Sequence, residues 1–191
     1  MINGTGGTRG QREPSALRDT VKIVLFCLLL FLEAAFQSSF FPTAAVFPAI
    51  PDIILSAVLG IALFDGEKSA AACGIAGGVF LGALGAEGAG ILPVFYFAAG
   101  YFAAVVAGKT LKRNLVTWSV FILAAAALRS LITAVRLVVT EVSATLPAIL
   151  LGVLLPEFIL TLVFSYPNYL LTRLAVRVFS GGAAGTVKQN D

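Results

Sequence analysis

Glu33, Arg129 and Glu157 are the residues of this sequence best placed to do chemistry, because each falls inside a long apolar run. A charge at membrane depth is expensive, and such residues commonly mark proton or substrate pathways. Glu33 follows Lys22 by about three helical turns, and Glu157 follows Leu146 by about three, so both sit near mid-membrane. Arg129 follows Leu115 by about four turns, nearer the outer face. Its long side chain can reach toward either carboxylate. Two readings follow: a proton or substrate site, or a structural ion pair that fixes helix register. The second asks for less, since a lone pair without a relay of further polar groups makes a poor pathway.

Other chemistry is sparse. The sequence has no histidine, so it lacks the commonest general base and zinc ligand. Cys27 and Cys73 sit in apolar runs without CxxC or metal-ligand spacing and read as small hydrophobes. Asp52 follows Pro51 at the start of a hydrophobic segment, where a carboxylate caps free backbone N–H groups. Glycines 4, 6 and 7 precede no strand–helix unit, so they do not make a phosphate loop. We find no nucleophile–base pair, and expect neither catalytic residues, a metal nor a cofactor. The chain reads as a non-enzyme.

The elements that must position these residues are hydrophobic helices. Of 191 residues, 59% are hydrophobic and 12% charged, about half the charge of a soluble domain. With a mean hydropathy of +0.97, polar residues cannot cover the surface and the lipid bilayer must. Apolar segments cover residues 21–41, 48–64, 69–84, 91–111, 115–137 and 146–171. Most approach the ~20 residues needed to cross a bilayer. The second and third are short. The fold class is therefore all-α, a polytopic membrane bundle of about six helices at 21–179. It is flanked by a disordered tail at 1–20 and a cytoplasmic tail at 180–191. The basic start followed by an apolar run also fits a signal peptide. However, Glu33 and Phe36 stand where a small-residue cleavage site belongs.

Charge sets the orientation. With the N-terminus inside, eleven Lys and Arg residues fall on the inner face and only Arg136 on the outer. That is a strong positive-inside bias, with both termini cytoplasmic. The net charge of +3 is thus explained by helix ends and not by nucleic acid. Small residues four apart, Gly74, Gly78 and Gly82 in the third segment and Gly100, Ala104 and Gly108 in the fourth, let helix backbones approach closely. They predict tight packing of these two helices or a face for a membrane partner. Pro156 next to Glu157 predicts a kink in the sixth segment. Tyr166, Asn168 and Tyr169 fit an interfacial belt.

In the order of these features the chain resembles the rod shape-determining protein MreD family of bacteria, over about residues 22–179. The resemblance rests on Pro51-Asp52 opening the second helix and the turn Asp65-Gly66-Glu67-Lys68. It rests also on the glycines 74, 77, 78 and 82, on Gly100-Tyr101 in the fourth helix, and on Pro167 followed by Arg173 and Arg177. The family often has an aspartate after the third-helix glycines; here the stretch reads Gly82-Ala83-Leu84-Gly85-Ala86-Glu87. The resemblance implies a non-enzymatic inner-membrane component of the cell-elongation machinery. Its partner would be an MreC-like protein, and through it MreB-like filaments and peptidoglycan synthases. It also implies a fold similar to the substrate-binding (S) components of energy-coupling-factor transporters. That similarity supplies the alternative, a membrane subunit of a vitamin transporter. A ligand site should show several convergent polar groups, and the outer-facing regions have few.

Overall fold

The computed structural model describes residues 13–44, 50–85, 90–110, 114–140 and 150–179. Among these the chain forms six α-helices: α1 Glu13–Ala44, α2 Ile53–Phe64, α3 Glu67–Ala83, α4 Leu92–Thr110, α5 Leu115–Thr140 and α6 Leu155–Phe179. A π-helical turn, Leu150–Leu154, leads into α6. Three helices contain stretches long and apolar enough to cross a membrane, Asp19–Pro42, Leu115–Val139 and Leu155–Val178. Their outward faces carry exposed Val24, Leu28, Val135, Val139 and Val163, as a lipid-facing surface requires. α1 begins at Glu13, so residues 13–20, expected as a disordered tail, are helical.

The second segment is not an ordinary span. α2 has only 12 residues, about 18 Å of helix, and all but one of them are buried. It is apolar on every side because other helices, not lipid, surround it; α1, α3, α4, α5 and α6 all pack on it. Asp52 caps its start, accepting from Leu55 N at 3.0 Å. A short turn, Asp65-Gly66, then reverses the chain into α3. Gly66 holds φ +107° there, a conformation that disfavours a side chain. Gly85, at φ +85°, closes α3 by donating to Gly82 O at 3.2 Å.

α3 and α4 form the most extensive helix pair among the described residues, and the small residues explain it. A Cβ on Gly74 would stand 2.5 Å from Tyr96 O, and one on Gly78 would collide with the Pro93 backbone. Gly100 faces Ala70 O and Val58, and Ala104 is buried. Gly82 is half-buried near the end of α3. Gly108 departs from the expected stripe: a Cβ there would meet nothing within 4 Å, because it borders an open cleft beside Lys22, Asp65 and Lys68. Gly60 was not singled out in the sequence, yet it lets Thr172 of α6 come within 2.7 Å of where a Cβ would be.

The sixth segment carries Pro156 near the start of its α-helix. That proline is the second residue of α6, where its missing N–H does no harm. The π-helical turn Leu150–Leu154 runs directly into this helix start.

Candidate functional site: a charged hub at the start of α2

Four chain segments meet at the start of α2. Arg129 of α5 points its Nε at Asp52 Oδ2, 2.9 Å away, and at Glu157 Oε1 of α6, 3.5 Å away. Its Nη1 donates to the Tyr96 hydroxyl of α4 at 2.9 Å. That hydroxyl donates in turn to the Asp52 carboxylate, 2.8 Å from each oxygen. The Asp52 side chain is 1% exposed and that of Arg129 is 18% exposed. A cation sheltered this far needs opposite charge and hydrogen bonds together, and Asp52, Tyr96 and Glu157 supply both.

The same helix start is held from two further sides. Asp52 N donates to Thr161 Oγ1 of α6 at 2.9 Å, and Ile53 N donates to Gln37 Oε1 of α1 at 3.0 Å. Asn168 Nδ2 donates to Ile53 O at 2.9 Å and to Ser56 Oγ at 2.6 Å. Backbone groups left over at a helix end must find partners, and here α1 and α6 provide them. Trp118 of α5 is fully buried, its ring 5.0 Å from that of Tyr169. At the opposite end of the bundle, Lys22 of α1 pairs with Asp65 after α2 at 3.1 Å.

The expected charged residues are therefore divided. Arg129 and Glu157 come together, but Glu33 does not join them. Glu33 is 7% exposed and neither of its oxygens has a hydrogen-bond partner; it faces a different groove, between α1 and α6. Glu157 sits in the first turn of α6 rather than at mid-span, because that helix starts at Leu155. Asp52, expected only as a cap, is both the cap and the nearest anion to Arg129. Asn168 and Tyr169, expected in an interfacial belt, are 5% exposed each and face the core; of the three, only Tyr166 is exposed. Tyr101 is half-exposed and stacks on Phe97, while its neighbour Gly100 packs inward. Pro51 is buried beside the hub. Pro147 and Glu87 lie outside the described residues. No cluster of three or more metal-ligating side chains is found among the described residues.

Tyr96, Gln37, Thr161 and Asn168 were missed in the sequence as members of this hub. One signal was present. Thr161, Ser165, Asn168 and Thr172 are all buried, and their spacing of four, three and four places them on one helical face. That polar stripe in an apolar helix turns toward α2. Searches against protein-family models, curated proteins and solved structures return no match to this chain.

Proposed function

We propose that this chain is a non-enzymatic membrane scaffold of the bacterial cell-elongation machinery. It sits in the inner membrane with both termini cytoplasmic and binds an MreC-like protein. One observation carries the reading beyond the resemblance: the charges at the start of α2 are closed on one another. Asp52 accepts from Leu55, Tyr96 and Arg129, and Arg129 is shared among Asp52, Glu157 and Tyr96. A substrate site needs converging polar groups that still have capacity for a ligand. A hub whose groups are already paired holds helices in place, which is what a docking platform requires.

The positive-inside bias supports the orientation, and the three spanning stretches support the membrane location. Arg129, Asp52 and Tyr96 bond one another at the hub, which removes them as ligand-binding groups for the alternative, a vitamin-binding transporter subunit. Purification in mild detergent tests the choice. The scaffold reading expects an MreC-like protein to co-purify. Co-purification with an ATPase module, together with tight binding of a vitamin, would replace it with the transporter reading.

A further inference from the structure

Beside the hub, α1 and α6 part to leave a groove of about 350 Å³ floored by Ile53 of α2. Leu32, Phe36 and Leu171 on its rim are exposed, so the groove opens outward between two helices long enough to span a membrane. Glu33 and Asn168 line its inside and are 7% and 5% exposed. Glu33 Oε1, Glu33 Oε2 and Asn168 Oδ1 all lack hydrogen-bond partners. The amide orientation is not arbitrary. Asn168 Nδ2 bonds Ile53 O, a carbonyl that can only accept, so the other amide atom facing the groove is the oxygen. Asn168 lies within hydrogen-bonding reach of Glu33, but its amide hydrogens are directed at Ile53 O and Ser56 Oγ.

Three acceptors thus share one buried groove without a donor. Each unsatisfied group costs several kcal/mol in lipid, and a Glu33 proton shared with Asn168 Oδ1 still leaves one Glu33 oxygen without a donor. Their depth restricts what can bring the donor. Glu33 lies close to the middle of the spanning stretch Asp19–Pro42, and Asn168 close to the middle of the stretch Leu155–Val178. Both are away from the level where lipid headgroups lie.

We propose that this groove is the docking site for a membrane-spanning helix of a partner protein. That helix carries one lysine or arginine side chain at mid-depth, which inserts between α1 and α6 and donates to Glu33 and Asn168. The inference rests on the scaffold reading and names the face it uses. Charge complementarity selects the occupant: an all-apolar helix leaves the carboxylate unpaired, and a lipid headgroup does not reach this depth.

The test uses the full chain in its native membrane, with a photo-cross-linking amino acid at Phe36 or Leu171, and at Val135 of α5 as control. The expected result is one discrete cross-linked protein from the rim positions and none from Val135. That protein has a spanning helix with a mid-depth donor, and changing the donor to leucine abolishes the cross-link. Glu33→Leu abolishes it as well. The purified Glu33→Leu chain melts at the same temperature as the parent or higher, since an unpaired buried acid has been removed. Leu171→Trp, which fills the groove mouth from an exposed position, also abolishes the cross-link. Cross-links only to lipid or to a second copy of this chain overturn the proposal. So does a cross-link that survives Glu33→Leu, or a Glu33→Leu chain that melts lower, which would mean that Glu33 serves the fold alone. Rounded cells on depletion with no rim cross-link defeat the groove and leave the scaffold standing. Normal rods on depletion with a Glu33-dependent cross-link do the reverse.

Discussion

Replacing Arg129 with methionine removes the guanidinium and keeps most of the apolar stem. The variant loses the contacts of 2.9 Å to Asp52, 3.5 Å to Glu157 and 2.9 Å to the Tyr96 hydroxyl. Asp52, with its side chain 1% exposed, is left charged with only Leu55 N and the Tyr96 hydroxyl to bind. Breaking a buried pair from one side destabilises by about 3–5 kcal/mol. Glu157→Gln should cost less, about 0.5–1.5 kcal/mol. Its 3.5 Å contact is beyond the usual hydrogen-bond range, and Arg129 keeps Asp52. Adding Asp52→Asn to Arg129→Met should restore part of the loss. Asparagine keeps an oxygen for the Leu55 cap and removes the unpaired charge. Equilibrium unfolding in mixed micelles, followed by the fluorescence of the sole tryptophan, Trp118, reads all four proteins. An Arg129→Met variant within about 1 kcal/mol of the parent would refute the reasoning, since that is the range of a solvent-exposed pair. So would an Asp52→Asn change that deepens the loss.

The α3–α4 packing predicts that Gly78→Ala destabilises by about 1–3 kcal/mol, because the new methyl meets the Pro93 backbone. Gly108→Ala, facing open space, should leave the unfolding midpoint unchanged. Leu81→Ala should also be costly, by about 2–5 kcal/mol, since Leu81 is 1% exposed; the same micelle assay reads all three. Asn168→Leu removes the bonds to Ile53 O and Ser56 Oγ and should cost about 1–3 kcal/mol, read as a lower midpoint. For topology, a cysteine at position 66 in a background without Cys27 and Cys73 should resist an impermeant reagent from outside, and one at exposed Ile50 should react. Outside labelling at position 66 would reverse the orientation.

The long helices were legible because α1, α5 and α6 must present apolar residues to lipid over many turns, and hydropathy reads that directly. α2 was harder. Hydropathy does not distinguish a helix wrapped in lipid from one wrapped in protein, and α2 was expected to start at residue 48 as a short span. Its true nature shows only in the burial of Ile53 to Leu63. The Arg129–Glu157 contact was visible because charges are so rare in these segments. Asp52 was half-read: a capping role explains a carboxylate at a helix start so well that nothing in the sequence asks for a second role. Its partners, Tyr96 and Arg129, belong to α4 and α5, far along the chain, and no local periodicity links them. Gly108 departs only from the intrachain packing reading, for the converse reason: spacing by four marks a face, but it does not say whether another helix of the chain reaches that far along it.

Depletion of the protein in a rod-shaped host with no second copy bears most directly on the central claim. The scaffold account predicts rounded, swelling cells, restored to rods by the parent chain and not by Arg129→Met. Cells that keep their rod shape through full depletion would contradict it, above all if their growth is rescued by a single vitamin.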